Sequence, residues 1–594
     1  ALKANTTGGY NTASGWRALY KNTTGDHNTA SGHQALSENT EGAYNTASGS
    51  GALYFNTEGN NNTAIGRSAL YANTTGIKNT ASGSYALFSN TEGDNNTAIG
   101  YDALTDNTTG IKNTASGSGA LYKNITGSHN TASGYRALYF NTIGHSNTAS
   151  GHQSLYSNTE GNYNTASGYN ALYANTTGIR NIAIGYGAYD AADTESDNLA
   201  IGFSALGGAI VANGDFNIAI GNYSLDANTS GGDNVAVGYN ALTANTTGSY
   251  NTATGFKALE ANAASSYNTA IGWQSMLETA TGGSYNTGVG ARSLETNTTG
   301  DNNTAVGVLS LYKNSTGDDN TAVGRDALYN TTSSDNTAIG SYALFSNTLG
   351  SNNSATGYQA SYSNTSGGQN TAMGRYALWK NQTGDANTAY GDYAMKQFRA
   401  DGGTYNTAIG RSSQRGPNSD DAYYTGSYNT SVGSGSLKVI TTGSNNTAVG
   451  YYSQYGNSIT GEKNSSLGSN SLKDLIGGDG NTVMGYEAAQ NITNGNYNVA
   501  IGNHSSNANN TGDDNVAIGN SALYSNTSSD NTAVGFNALY NTNASKNVGI
   551  GWKAGNEISS GTENVVVGYN ASVLTETEDN QIVIGASAVG KGEN

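Results

Sequence analysis

The chain has 594 residues, with 82 Gly, 41 Tyr, one Pro and no Cys, and only 11% of it is charged. That composition lacks the aliphatic core of a large globular enzyme, and the absence of thiols removes disulfides, cysteine nucleophiles and the common zinc sites. Its 25 basic and 42 acidic residues leave a formal charge of −17, which repels phosphate backbones and anionic lipid, so neither nucleic acid nor a membrane surface is an expected partner.

In chain order the first landmark is Asn11-Thr-Ala-Ser-Gly15. The word Asn-Thr-Ala-x-Gly then returns in ten successive steps of 17 residues, reaching Asn181 with Ile in place of Thr. With variants such as Asn498-Val-Ala-Ile-Gly502 it occurs 34 times, finishing at Gln581-Ile-Val-Ile-Gly585, and its closing Gly is never replaced. Each unit continues through Ala18-Leu19-Tyr20-Lys21 and Asn22-Thr-Thr-Gly25. A helix pair needs ~30 residues or more, so this shorter fixed period predicts one β coil per unit. The expected fold is all-β, a parallel β-solenoid or β-roll of 34 coils of about 17 residues. At ~4.8 Å per coil it would form a rod about 160 Å long. Residues 1–594 read as a single continuous array: regular coils over 1–197, mildly irregular coils over 198–386, insertion-bearing coils over 387–428 and C-terminal coils over 429–594.

Within the landmark, Val499 and Ile501 share one strand face while Asn498, Ala500 and Gly502 share the other. The larger face is expected to point into the coil. A second short strand, Ala18-Leu19-Tyr20, would put Leu inside and Tyr outside. The structural core column is then Leu19, Leu36, Leu53, Leu70, Leu87, Leu104, Leu121 and Leu138. Gly15, Gly32, Gly49 and Gly66, together with Gly25, mark corners where positive φ is cheapest. Ordering the backbone costs ~1–2 kcal/mol per residue, whereas one Leu and a few small groups return only ~2–5 kcal/mol per coil. A lone column is thin, so the Ala13 and Gly15 face is expected to approach another subunit, with a cyclic homotrimer as the simplest closed form.

The motifs Asn498-Val-Ala-Ile-Gly502, Asn515-Val-Ala-Ile-Gly519 and Asn217-Ile-Ala-Ile-Gly221 resemble the head repeat of trimeric autotransporter adhesins, a left-handed parallel β-roll of three chains. The 17-residue unit with Ala-Leu-Tyr and Asn-Thr-Thr-Gly is similar to repeat arrays of bacteriophage tail-fibre shafts and related bacterial surface proteins. The resemblance implies a left-handed homotrimeric fibre located outside the cell, on a virion tail or a bacterial surface. The period is longer than that of the adhesin head. Ala1-Leu2-Lys3-Ala4-Asn5-Thr6-Thr7-Gly8 aligns with Ala18–Gly25, so the sequence opens in mid-unit and further protein is expected beyond both termini.

Candidate chemistry is sparse. His33 and His152 share a column but stand seven coils apart, ~34 Å at the ladder spacing. Asp318-Asp319 and Asp513-Asp514 lack the spaced oxygen ligands of a calcium loop. No catalytic residue, cofactor or metal is assigned, and an enzyme is not expected. Tyr recurs after the Leu column (Tyr20, Tyr54, Tyr71) and after the landmark Gly (Tyr101, Tyr135, Tyr169), forming aromatic ladders that stiffen neighbouring coils or offer platforms for sugar rings. The period breaks between Asn387 and Asn429, where intervals of 19 and 23 residues contain the single Pro417. Insertions in repeats map to surface loops, so Arg411, Arg415, Tyr423 and Tyr424, with Arg399 nearby, form the candidate ligand loop. The expected function is a structural and adhesive fibre shaft that projects or contributes to binding a host or cell-surface glycan or receptor. The alternative is a solenoid whose Thr and Tyr rows bind ice or polysaccharide, favoured by a flat exposed Thr row.

Overall fold

A Thr-Ala-Ser or Thr-Ala-Ile triplet is long enough to form one rung of a ladder and no more, because the Gly that follows it turns the chain at φ near 130–144°. A computed structural model describes residues 1–191, 193–208, 214–279, 282–398, 403–417 and 424–591. The chain forms two compact units, Ala1–Thr299 and Gly300–Asn594. The first contains strands β1 (Thr12–Ser14) to β17 (Thr287–Val289), and the second contains β18 (Thr304–Val306) to β34 (Ile582–Ile584). Each unit is a parallel β-solenoid with one three-residue strand per coil. Successive strands pair in strict register, Thr12 with Thr29 and Ala13 with Ala30 in the first unit, Thr304 with Thr321 and Ala305 with Ala322 in the second.

The strand faces are the reverse of the sequence expectation. Ala30, Ala47 and Ala64 are at most 1% exposed, as are Asn28, Asn45 and Asn62, whereas Ile65 and Ile99 are 48% exposed. Val499 and Ile501 are half-buried on the outer face, while Asn498 and Ala500 are fully buried. Interior width is the reason. The Leu column does lie inside, Leu19 through Leu138 being fully buried, and it leaves room opposite for little more than one methyl. Two exceptions trade volume between columns. Where Met276 replaces Leu, Gly288 replaces Ala, and a Cβ there would stand 2.7 Å from Ser275 Oγ and 3.0 Å from Met276 Cγ. Where Gly555 replaces Leu, the buried Val566 replaces Ala. Fixed close packing accounts for both trades.

Polar demand also draws Asn inward. Gly42 O accepts from Asn28 Nδ2 at 2.8 Å and from Asn39 Nδ2 at 2.8 Å, so both of its lone pairs are used. Asn39 Nδ2 also reaches Asn22 Oδ1 at 2.7 Å, and the Asn45 backbone N–H donates to Asn28 Oδ1 at 3.0 Å. Two carboxamide ladders therefore run up the interior from coil to coil. Leaving such carbonyls unmet would cost ~1–3 kcal/mol each.

Ala18-Leu19-Tyr20 is a pair of turns and not a second strand. Arg17 and Leu19 take left-handed φ of 56° and 48°, and the residue before the next landmark, His27, takes 55°. Such conformations cost non-Gly residues about 1–3 kcal/mol. They are held by hydrogen bonds between coils: Leu19 N to Ala35 O at 3.0 Å and Lys21 N to Ser37 O at 3.0 Å. At the Arg17 position some coils use glycine, as at Gly51 and Gly119 with φ 69° and 66°.

Gly15, Gly32, Gly49 and Gly66 have φ of 131°, 138°, 142° and 130°. A Cβ on Gly15 would stand 2.3 Å from Gly32 O, so its smallness serves the next coil of the same chain rather than another subunit. Gly25 departs from the corner expectation: its φ is not positive, and a Cβ would strike Gly42 O at 2.3 Å. Gly66→Ala should therefore lower the local opening free energy by about 3 kcal/mol, read as faster hydrogen exchange at the Thr63 and Thr80 amides. Gly51→Asn, at an ordinary left-handed φ, should change it by less than about 1 kcal/mol.

Candidate functional site

Counting from each landmark Gly, the residue five places on stands beside the buried Leu on the coil surface. In most of the regular coils this column is aromatic, with Tyr54–Tyr71 and Tyr71–Phe88 ring centroids 5.2 and 5.1 Å apart and nearly parallel. A second column, one place after the Gly, stacks His152, Tyr169, Tyr186 and Phe203 at 4.8–5.2 Å. A third, before the landmark Asn, stacks Tyr10, His27 and Tyr44, and sequence reasoning overlooked it although it repeats at the same period. Ring spacing follows the coil rise, so most of these rings spend their faces on one another.

In the second unit the first of these columns changes character. Its occupants in three successive coils are Lys396, Arg415 and Lys438, followed by Tyr455. The insertion lies among these coils, yet the sheet passes it in register, Thr388 pairing with Thr407 and Thr407 with Thr430. The landmark ladder continues too, with Asn406 N and Asn429 N donating to Asn387 Oδ1 and Asn406 Oδ1 at 3.0 and 2.9 Å. Two of the expected loop residues, Arg411 and Arg415, come together here. They line a cleft of about 150 Å³ with Lys438, Ser412, Ser434 and Tyr452. Its floor is Gly435, φ 67°, where a Cβ would fall 2.5 Å from the Tyr452 ring. The glycine lets that ring lie across the coil and close one side of the cleft.

Arg180, Arg292, Arg325 and Arg375 each meet a carboxylate. Among the described residues no carboxylate pairs with Arg411, Arg415 or Lys438. Arg415 lies over the Tyr393 ring at 5.4 Å, and its buried Nε has no hydrogen-bond partner. Lys438 Nζ donates to Tyr455 Oη at 2.7 Å. Tyr451, Tyr452 and Tyr455 form an aromatic cluster beside the cations, with centroids 3.9 and 4.4 Å apart.

Tyr424 does not belong to this surface. It is fully buried, donates to Gln414 Oε1 at 2.8 Å and packs on Phe398 at 4.2 Å. The cause is local: Gln414 occupies the Leu column and Phe398 the inner Asn column, so a long polar side chain inside needs a phenol to satisfy it. Tyr423 and Arg399 lie outside the described residues. Lys438, Ser434, Gly435 and Tyr452 were missed because they stand one and two coils after the insertion; the Lys396, Arg415, Lys438 run in a Tyr column was the available signal.

Elsewhere, Asp190 and Asp226 stand in the same column on either side of Gly207. Burial pushes both carboxyls up, and the charge of Asp226 adds to the effect on Asp190. Among the described residues no three His, Asp or Glu side chains form a metal-binding group. No helix there is long and apolar enough to cross a membrane. No known protein-family model and no curated protein matches the chain.

Two pH effects follow. Burial raises the Asp190 and Asp226 carboxyls, so the fold binds protons more tightly than the unfolded chain and loses stability as pH rises through their range. Asp190→Asn should raise the first unit's melting temperature at pH 7 and leave it unchanged at pH 3, as followed by calorimetry. Tyr424 is also pushed up by burial. Its contribution is complete below the ordinary Tyr value of ~10 and is lost above it. Absorbance titration should show this phenol ionising only as the second unit unfolds, and Tyr424→Phe should abolish that step while costing ~1–3 kcal/mol through the unmet Gln414 carbonyl.

Proposed function

We propose that this protein is a structural and adhesive fibre shaft, a homotrimer outside the cell on a virion tail or bacterial surface, needing no catalytic step. The observation that carries the reading is the outer strand face. Ile65, Ile99, Ile184 and Ile271 in the first unit are 42–48% exposed, as are, at 40–49%, Ile339, Met373, Leu467 and Met484 in the second. In the second unit Val449, Leu467, Met484 and Ile501 also line an almost wholly apolar groove of about 250 Å³. Apolar surface repeated at this scale marks an interaction face. A partner must match a rise of ~4.8 Å over many coils, and a second copy of the chain has that period.

The mutual surface is thus the Thr and Ile/Val face, not the Ala and Gly face, which is used up inside each coil. Each strand presents two outward columns. If each column meets a different neighbour, the contact is heterologous and closes into a ring of at least three. The coils take the left-handed sense that the adhesin-head likeness implies.

A second reading has one observation in its favour. In the first unit Thr29, Ser31, Thr46, Ser48, Thr114 and Ser116 are exposed in line, a regular hydroxyl row of the kind expected to bind ice or polysaccharide.

Light scattering distinguishes the two. The fibre reading expects 3 × 60.8 = 182.4 kDa. Replacing Ile65, Ile99, Ile184 and Ile271 by Asp should reduce the mass toward 60.8 kDa with the circular dichroism of the coils retained. A stable monomer of the parent chain that shows thermal hysteresis would overturn the fibre and favour the hydroxyl row.

A further inference from the structure

We propose that the Arg411, Arg415, Lys438 and Tyr452 cleft is a binding site for an acidic sugar, a single ring carrying a carboxylate or sulfate. Three cations from two adjacent coils, Arg411 and Arg415 from one and Lys438 from the next, line a cleft with no carboxylate among the described residues to neutralise them. Elsewhere several cations pair with a carboxylate of a neighbouring coil, as in Lys123 with Asp106 and Arg375 with Asp392, whereas others, such as Arg136, lie singly over aromatic rings. Arg415, whose buried Nε has no hydrogen-bond partner, is one of the residues that line it. Guanidinium forks bind planar or tetrahedral oxyanions through two parallel hydrogen bonds.

The rest of the cleft fits the ring that carries the anion. Tyr452 supplies an apolar wall across Gly435, and Tyr451, 51% exposed, extends the aromatic surface outside it. Ser412 and Ser434 supply hydroxyls to partner those of a sugar. A volume of about 150 Å³ lies below the usual range of organic-ligand pockets, so it accommodates one ring rather than an oligomer. The charge pattern points the same way. Asp392 occupies the Arg411 column one coil earlier, and the chain as a whole carries −17, so a polyanion extending past the cleft meets repulsion while an isolated anionic group does not. Nothing here depends on the subunit count, because every group belongs to one chain.

Isothermal titration of the full chain at low salt with glucuronic acid, galactose 6-sulfate, glucose and sodium sulfate tests the proposal. At least one acidic sugar should bind, with glucose and free sulfate each at least tenfold weaker and with affinity falling as salt rises. Arg411 is exposed, so Arg411→Gln should leave the fold intact and weaken binding several-fold. Adding Lys438→Gln should bring the loss to tenfold or more, and Arg136→Gln, a cation over Tyr135 and Tyr139 in the first unit, should change nothing. Tyr452→Ala should weaken the sugars but not sulfate. Equal affinity for glucose, equal affinity for free sulfate, tighter binding of an oligo-dT strand, or full affinity in a folded Arg411→Gln/Lys438→Gln chain would each overturn it.

Discussion

The coil depends on the side-chain carboxamide of asparagine. A 17-residue turn of chain encloses too little space for an apolar core of ordinary size, and its tight corners leave backbone carbonyls pointing inward. An Asn side chain meets both conditions, being small and bringing two donors and an acceptor. Asn28 and Asn39 converge on Gly42 O while their own oxygens serve neighbouring coils. Each coil therefore completes the polar accounts of the next. That arrangement holds the interior width constant, which fixes Leu on one side and Ala on the other.

Constant width explains why departures occur in compensating sets. Tyr189 enters the Leu column, and its hydroxyl accepts from Asn198 Nδ2 at 2.6 Å. Phe398, Ile440, Leu475 and Ile492 replace the inner Asn in the second unit and are all buried. The polar ladder there gives way to an apolar one, and Gln414 with Tyr424 is a polar exchange within that stretch. The cations of the cleft stand on the outside of the same coils.

The sequence made the period, the strand position, the Leu column and the Gly15-type turns legible, because each repeats without phase drift. Which strand face turns inward was not legible from alternation alone. Alternation says that Val499 and Ile501 share a face, and hydropathy alone would turn that face inward. The decisive sign was variation: one face is Asn and Ala almost throughout, whereas the other exchanges Thr, Ser, Ile, Val and Met freely, a freedom that solvent allows and a narrow interior does not. Of the cleft, Arg411 and Arg415 were legible as cations beside an insertion. Lys438 could have been found from the Lys396, Arg415, Lys438 run in one column; Tyr452 could not, since it stands two coils after the insertion and reaches the cleft only through the coil rise.

The compensating sets also bear on how the chain finds its alignment. Between Asn11 and Gly185 every coil offers the same ladder to its neighbour, so a strand displaced by a whole unit would recover nearly all its partners. Such a slip leaves every side chain on its proper face and escapes the usual penalty for misregistration. Coils that fit only one neighbour remove the degeneracy. A Cβ at Gly288 would stand 2.7 Å from Ser275 Oγ and 3.0 Å from Met276 Cγ, and Gln414 accepts from the phenol of Tyr424. These odd coils act as keys that let an otherwise uniform chain fold in a single frame.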